Sequence, residues 1–178
     1  MSEFANPVQD TPDGSARYTA AILAKLGDRD PFDSMRAMPA ALTRAIAGLT
    51  PAQIARPEGP GKWSILQVLQ HLTDSELVGA YRFRLILAAD RPELVGYDQD
   101  AWVARLHAGD TDPEDLIARF AALRRGSLRL FEAATPAERE RYGIHSERGQ
   151  ESINLLIRLY AGHDLVHLAQ LDRIRAAQ

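Results

Sequence analysis

The sequence predicts an all-α protein, a four-helix bundle with short connecting helices. Four long stretches carry apolar residues at helical spacing, and short helical stretches connect them. No run of alternating apolar and polar residues requires a β-strand. Four amphipathic helices bury their apolar stripes by packing against one another, so a bundle is the expected architecture.

The N-terminal part is expected to divide into a loose arm and the start of a single folded domain. Residues 1–15 are largely polar, contain two prolines and a glycine, and show no periodicity. Residues 16–178 are enough for one domain with a sizeable core. That domain opens with a short helical stretch over residues 18–26, which Gly27 ends.

The first long helix is expected to begin after Asp30, an N-cap residue followed by proline at the first helical position. Pro39 lies inside this helix and is expected to kink or interrupt it. Met35 and Met38 share its apolar stripe. We interpret both as core residues rather than as contacts to a cofactor.

The second long helix has a strong start signal. Ser64 can cap its first turn while Gln67 reaches back to the cap. Trp63 precedes the cap and can pack onto Val68 as a hydrophobic staple. The helix is expected to run to about Ala89, where an aspartate and a proline end it.

The second half of the chain holds the other two long helices. One is predicted from Asp112 to about Ala134, after a connector with a short helix of its own. Residues 142–150 are predicted to form a loop. Ser152 then caps the last helix, which runs nearly to the C-terminus.

Composition excludes several classes of function. The formal net charge is −3 at pH 7 and no basic block is present, which argues against binding to nucleic acid or to an anionic membrane surface. No apolar run is long enough to span a bilayer, and no signal-peptide pattern is visible, so the expected location is the cytoplasm. The chain has no cysteine, which excludes disulfides, thiolate ligands and a protein thiol nucleophile.

Two histidines in the last helix form the main candidate for a functional site. His163 and His167 are four residues apart, so their side chains lie one turn apart on the same face. The rest of that face is apolar, with Leu156, Leu159, Leu171 and Ile174. Unsatisfied imidazole nitrogens are costly to bury, and a divalent metal ion held by neutral imidazoles is the simplest way to satisfy them. Satisfied core histidines are the alternative interpretation.

A third ligand must come from another helix, and His71 fits best, with Glu76 or Asp74 as the alternative. It lies seven residues after Ser64, which is about 10 Å along the second long helix. His167 lies about as far before the end of the last helix, so the two levels match if the helices are antiparallel. His145 precedes the last helix, so it is expected roughly 25 Å from His163 along the axis of that helix, and His107 lies in a connector. We interpret these last two as loop residues.

Two stretches carry a resemblance to a known family. The sequence GKWSILQVLQHLTDSE at residues 61–76 resembles the helix-two signature of the DinB-like superfamily, and AGHDLVHLAQL at residues 161–171 resembles its last-helix signature. The resemblance extends from about Tyr18 to the C-terminus, and residues 97–102 and 145–149 also contribute.

The resemblance implies a DinB-like four-helix bundle, often a homodimer, with one metal ion held by His71, His163 and His167. The superfamily includes bacillithiol and mycothiol S-transferases and many uncharacterised metal-dependent hydrolases. The ion could be Zn²⁺, Ni²⁺, Fe²⁺ or Mn²⁺. The implied substrate is a small molecule, and in the transferases a low-molecular-weight thiol. No catalytic residue beyond the metal ligands is identified.

Other polar residues near these signatures have ordinary structural interpretations. Asp74 and Asp164 could orient ligand imidazoles, but we interpret them as surface carboxylates because neighbouring helix positions face different ways. Glu76 points about 140° from His71 around the helix and is expected to make a structural hydrogen bond. Arg82 shares the face of His71. It could bind an anionic substrate, although a surface salt bridge is the preferred interpretation.

The sequence therefore favours a metal-dependent enzyme of the cytoplasm. Thiol S-transfer is the reaction that the resemblance suggests, and metal-assisted hydrolysis is the enzymatic alternative. A non-catalytic helical dimer with a structural metal site is the alternative of a different class. A cavity beside the histidines would favour an enzyme, and a sealed site would favour the structural role.

Overall fold

Helix predominates in the computed structural model, which describes residues 12–109 and 111–178. The helices in chain order are α1 (Pro12–Leu26), α2 (Pro31–Ile46), α3 (Pro51–Ala55), α4 (Ile65–Ala88), α5 (Gln99–Arg105), α6 (Pro113–Ala133), α7 (Pro136–Arg139) and α8 (Ile153–Ala176). The strands are β1 (Glu93–Leu94), β2 (Tyr142–His145) and β3 (Gly149–Ser152). None of the helices in the described part of the chain is both long and apolar enough to cross a membrane.

The four long helices close into a ring, which confirms the predicted four-helix bundle. Helix α2 packs against α6 and α8, and α4 packs against the same two helices from the opposite side. Helix α1 packs against α8. The N-terminal end of α4 meets the C-terminal half of α8, since the ring of Trp63 faces that of His167, and farther along α4 Phe83 meets Tyr160. The helices α4 and α8 are therefore antiparallel, as the histidine argument requires.

The predicted helix starts are confirmed by their caps. The side chain of Ser64 accepts a hydrogen bond from the Gln67 backbone, and the Gln67 side chain accepts one from the Ser64 backbone. Asp30, Asp112 and Ser152 also accept bonds from backbone N–H groups in the first turns of α2, α6 and α8. Each cap satisfies donors that a helix start leaves unpaired, so these boundaries were readable from local sequence.

Two expectations for the N-terminal half need correction. Helix α1 begins at Pro12, so residues 12–15, which were assigned to the loose arm, belong to its first turn. Residues 1–11 of the predicted arm lie outside the described residues, and the division into arm and domain stays a prediction. Helix α2 runs through Pro39 without interruption.

The predicted loop at residues 142–150 is wrong, because this segment forms a hairpin. Strands β2 and β3 pair antiparallel, and β1 adds to β2 in parallel. Gly149 has a φ of +74°, a conformation that glycine adopts without strain at such a turn. Strands of two to four residues are too short to show a period-two pattern, which explains why the sequence did not reveal them.

The interior of the bundle consists of two apolar clusters with a polar layer between them. One cluster includes Met35, Phe83 and Phe131, and the other includes Met38, Leu69 and Phe120, so both methionines are core residues as predicted. Along α4, α6 and α8, buried polar side chains occupy the positions between the two clusters. They are His71, Glu76, Arg124, Ser127, Asp164 and His167.

Arg124 of α6 connects all four long helices within this layer. Its guanidinium donates to Glu76 of α4 at 2.8 and 2.9 Å and to Asp164 of α8 at 2.5 and 3.1 Å. It also donates to the backbone oxygen of Met35 in α2 at 3.3 Å. Glu76 receives a further bond from Ser127 at 3.0 Å. The structural interpretation of Glu76 agrees with these contacts, whereas the interpretation of Asp164 as a surface carboxylate is wrong.

Helix α1 approaches α8 closely at Gly162. A Cβ atom at this position would collide with the backbone oxygen of Ile22, so only glycine permits the observed contact. Because a backbone atom cannot move aside as a flexible side chain can, this glycine fixes how closely α1 lies over the segment that contains His163.

We expect Arg124→Met to lower the free energy of unfolding by about 3–5 kcal/mol, because two buried carboxylates lose their cation. Urea denaturation followed by circular dichroism measures the change. Arg125→Met is the matched control, since Arg125 is exposed on the same helix, and it should change stability by less than about 0.5 kcal/mol. Equal stability of the two variants would contradict the role of Arg124.

We expect Gly162→Ala to destabilise the protein by about 1–3 kcal/mol, because the added methyl group forces α1 away from α8. Gly126→Ala in α6 is the control. There the nearest atom to an added Cβ is a side-chain nitrogen of Arg84 at 3.7 Å. That change should stabilise the helix by about 0.5–1 kcal/mol. Thermal unfolding of both variants measures the difference, and a neutral Gly162→Ala would rule out the close contact.

Candidate metal centre and its cavity

Three histidine side chains meet where α4 faces α8. Nε2 of His163 lies 3.1 Å from Nε2 of His71 and 3.1 Å from Nε2 of His167. One ring nitrogen from each histidine lies within 4.8 Å of the others, and among the described residues this is the cluster suited to a metal ion. His71 and His167 are buried and His163 is half-buried. The structure thus brings together the three residues that the sequence singled out, while their role as metal ligands stays a prediction.

All three imidazoles are held in the neutral form. Burial lowers the pKa of His167 to about 4, although a hydrogen bond to Gln170 opposes the shift. Burial, with a contribution from His167, holds the pKa of His71 well below its usual range, and the same two causes act on His163. Neutral imidazole is the form that binds a metal ion, so the pocket prepares the ligands at neutral pH.

Gln170 fixes the orientation of His167. Its side-chain oxygen lies 2.8 Å from Nδ1 of His167, and an amide oxygen can only accept, so Nδ1 carries the proton. Nε2 of His167 is then left with a lone pair directed at the other two histidines. A hydrogen bond to the far nitrogen of a ligand histidine is the usual way in which proteins orient a metal-binding imidazole.

The separations between nitrogens fit a metal ion. Ligands at 2.0–2.1 Å from an ion with angles between 90° and tetrahedral lie about 2.8–3.4 Å apart, and the observed 3.1 Å falls in this range. Hydrogen bonds alone do not satisfy the cluster, because a single proton on Nε2 of His163 cannot point at both neighbours. In addition, Nδ1 of His71 is buried without a hydrogen-bond partner among the described residues. Three neutral nitrogen donors suit Zn²⁺ and other divalent transition metals.

Trp63 covers one side of the histidine cluster. Its ring centre lies 5.0 Å from that of His71 and 6.5 Å from that of His167. The residue that the sequence proposed as a helix staple therefore also excludes solvent from the ligands.

The other side of the cluster opens into a cavity of about 100 Å³, which His71 and His163 both line. Helix α1, the turn of the β2–β3 hairpin and the connector between β1 and α5 form the rest of its wall. The polar side chains in this wall are those of Ser15, Tyr18, Thr19, Ser75, Arg82, Tyr97, Gln99, His145, Glu147, Arg148 and Tyr160. The histidine centre is therefore not sealed within the bundle.

The predicted position of His145 is wrong. The expectation of roughly 25 Å assumed that the chain before α8 extends away from the helix. Instead, β2 of the hairpin packs against α4, and His145 is buried in the wall of the same cavity as His163. Burial, together with Arg148 and Arg82, lowers the pKa of His145 to about 3. It is not part of the three-histidine cluster.

The preferred interpretation of Arg82 as a surface salt bridge is also wrong. The side chain is buried; one amino group donates to the backbone oxygen of Val95 at 2.6 Å and lies 3.2 Å from Nε2 of His145. The residue lines the cavity, on the same face of α4 as His71. Sequence periodicity placed Arg82 on the correct face but could not show that a hairpin covers that face.

Asp74 and His107 form a pair outside the cavity. Their side chains lie 2.8 Å apart and both are largely shielded from solvent, although His107 lies in a connector as predicted. Asp74 is therefore not the simple surface carboxylate that the sequence suggested. Neither residue belongs to the described histidine cluster.

Sequence reasoning missed Arg124 and Gln170. Arg124 lies between Phe120 and Leu128 at helical spacing on the buried face of α6. A charge within an apolar stripe was a signal that could have identified it. Gln170 lies three residues after His167, a spacing at which side chains on a helix can meet.

Comparison with known proteins gives consistent matches over most of the chain. The model of the DinB superfamily matches residues 34–171. A Bacillus mycoides protein named "putative metal-dependent hydrolase" is 27% identical over 164 residues, which cover 92% of this chain and 94% of that protein. YfiT of Bacillus subtilis, which bears the same description, is 29% identical over 139 residues, covering 77% of this chain and 78% of YfiT.

A solved structure is also similar. The structure of YfiT, described as having "an unusual four-helix bundle topology", matches with a TM-score of 0.76 and 26% sequence identity. The match covers 81% of this chain and 83% of YfiT.

We expect His71→Ala, His163→Ala and His167→Ala each to reduce bound metal sharply, by more than about 100-fold in affinity, while helical content stays nearly unchanged. The two apolar clusters fold the bundle without the ion, so the loss is local. Elemental analysis beside far-ultraviolet circular dichroism measures both quantities.

The controls for this prediction are His145→Ala and His107→Ala, which should keep the metal because neither residue belongs to the cluster. Normal metal content in any of the three cluster variants would remove that residue from the ligand set. Loss of metal in His145→Ala would show that the centre extends into the hairpin.

Proposed function

Because the chain belongs to the DinB superfamily, we propose that it is an enzyme that uses one divalent metal ion, held by His71, His163 and His167, to act on a small molecule. The observation that carries this proposal is the position of the histidines. Two of them form part of the wall of a cavity, so a small molecule inside that cavity would lie next to the metal centre. A structural site would instead have a saturated and closed coordination sphere.

The bound ion would supply Lewis-acid chemistry, lowering the pKa of a thiol or water molecule so that the nucleophile forms at neutral pH. The protein holds three neutral imidazoles in place for this ion, and Gln170 orients one of them. Trp63 shields the ligands on the side away from the cavity.

We propose thiol S-transfer as the reaction. Sulfur of a low-molecular-weight thiol forms a bond to an electrophilic carbon, whose leaving group departs with the bonding electrons, and the thiol proton passes to solvent. The buried carboxylates Glu76 and Asp164, which follow His71 and His163 in the sequence, are engaged by Arg124 and are not free to act as a general base. A thiol needs less help from a base than water does, since its reference pKa is about 8.5 and a coordinating thiol is readily deprotonated.

Hydrolysis is the second candidate, and the descriptions of the similar Bacillus proteins favour it. In that reaction water replaces the thiol and attacks an acyl carbon. Glu147 is the carboxylate in the described wall of the cavity, and it is half-buried on the hairpin turn. It would be the residue available to accept a proton from water.

The assembly and location of the protein remain proposals as well. We propose a homodimer of the cytoplasm, in line with the family resemblance. Exposed apolar side chains occur on the outer face of α4 and beside it, including Leu77, Tyr81 and Val95. Such side chains are the kind of surface that a second copy would cover.

We expect the purified protein to contain one divalent ion per chain and to accelerate conjugation of a low-molecular-weight thiol with 1-chloro-2,4-dinitrobenzene. A parallel assay uses 4-nitrophenyl acetate in the absence of thiol. Chelation of the metal and His71→Ala should each reduce the rate by more than about 100-fold. Ester hydrolysis without thiol conjugation would replace the first candidate by the second, and metal binding without either activity would support the non-catalytic alternative.

A further inference from the structure

Arg82 is a buried cation without a carboxylate partner. Its side chain is buried, with 6% of the residue exposed, and its guanidinium contacts the backbone oxygen of Val95 and a ring nitrogen of His145, both neutral. Among the described residues no carboxylate lies within ion-pair distance of its guanidinium. Removing a charge from water is costly unless an opposite charge or a full set of hydrogen bonds compensates it.

The other guanidinium groups near the site differ in this respect. Arg124 has two carboxylates, Glu76 and Asp164. Arg148, which also lines the cavity, is held by Glu151 through bonds of 2.6 and 3.1 Å. Carboxylates of the protein itself therefore neutralise Arg124 and Arg148. The charge of Arg82 has no such partner and is left to be neutralised by a group in the cavity.

We propose that Arg82 binds the carboxylate of the substrate, while the opposite end of the same molecule reaches the three-histidine centre. The inference rests on the proposed function and names the class of molecule on which it acts: a small, elongated, carboxylate-bearing thiol. A planar guanidinium pairs with a carboxylate through strong, charge-assisted hydrogen bonds, which gives the site specificity as well as affinity.

The geometry of α4 supports a single molecule that spans both groups. Arg82 is eleven residues after His71, which places the two Cα atoms about 16 Å apart along the axis and within about 20° of the same face. Helical side chains lean toward the N-terminus, which directs the long side chain of Arg82 toward the His71 end of α4, and both residues line the same cavity. The cavity of about 100 Å³ has space for several non-hydrogen atoms between them.

Glu147 does not take the place of a substrate carboxylate. It lines the cavity from the hairpin turn, beside Gly96, where a Cβ atom would come within 2.5 Å of its Oε1. No ion pair joins it to Arg82 within the described part of the chain, and its half-buried position leaves it accessible to water.

The experiment uses the cobalt-substituted protein, in which thiolate binding to the ion changes the visible and near-ultraviolet absorption. The probes are 3-mercaptopropionate, 4-mercaptobutyrate and 6-mercaptohexanoate, each compared with its own neutral amide. We expect the wild-type protein to bind at least one of the acids about 10–100-fold more tightly than the matching amide. In Arg82→Gln this preference should disappear, and the affinity for the amide should change by less than about threefold.

Arg84→Gln is the matched control, because Arg84 lies on the same helix but is exposed and donates to the backbone oxygen of Ala80. This variant should keep the preference for acids. A purely structural role of Arg82 would alter acid and amide binding equally. Arg82→Lys, which keeps the charge, should retain part of the preference and serves as a second test if Arg82→Gln does not fold.

A second measurement does not depend on the metal. In the metal-free protein, the Arg82 Nε–H resonance, assigned by its loss in Arg82→Gln, should shift on titration with the preferred acid and not with its amide. Equal affinity for acids and amides in the wild type, or a preference that survives in Arg82→Gln, overturns the inference.

Failure of the proposed function has a different signature. In that case the protein does not bind cobalt, or no thiol changes its spectrum. The titration of the metal-free protein then decides whether Arg82 still binds carboxylates: a shift supports that assignment, and no shift removes it.

Discussion

The ion network centred on Arg124 is the interaction on which the rest of the structure depends. One guanidinium in α6 contacts α2, α4 and α8, so it fixes the distances among all four long helices at one level of the bundle. That level is also the level of the histidines. Glu76 lies five residues after His71 and Asp164 directly follows His163, so the same salt bridges that hold the helices hold the two backbones that carry the histidines. The short distances between the histidine Nε2 atoms are possible because these salt bridges hold the backbones of α4 and α8 at a constant separation.

An incomplete network would leave buried charges unpaired, at a large cost in the free energy of folding. This cost explains why each charged group of the network makes more than one hydrogen bond. Burial opposes ionisation of both carboxylates and raises their pKa, while Arg124 acts in the other direction. The guanidinium pairs with both partners, and Ser127 and the Met35 carbonyl take up further hydrogen bonds. The face of the Phe120 ring lies 4.6 Å from the guanidinium carbon. Buried charges of this kind specify one arrangement of helices more than they add stability.

The same low-polarity interior gives the histidine centre its chemistry. Burial disfavours protonated imidazole, so the rings present lone pairs instead of charges. Trp63 closes the centre on one side, whereas α1 and the β2–β3 hairpin leave a cavity on the other. The bundle thus provides the three histidines, and the added elements around it line the cavity beside them. In our proposal Arg82 connects these two parts, because it lies on a bundle helix and contacts both the hairpin and the connector after β1.

The sequence by itself determined what depends on local spacing. Helix caps at Ser64 and Asp112 follow from local side-chain chemistry. The shared face of His163 and His167 follows from the period of a helix, and the matching level of His71 follows from its rise once α4 and α8 are antiparallel. The bundle follows from the apolar stripes, since four such stripes have few ways of being buried. Tertiary structure alone decided which polar residues those helices and the hairpin bring together. Arg124 has its partners on three other helices, and its bond to Asp164 joins α6 to α8. His145 and Arg82 meet in the cavity wall because a hairpin too short to show a pattern folds back against α4. Contacts between residues distant in sequence depend on how whole elements pack, and no spacing within one element records them.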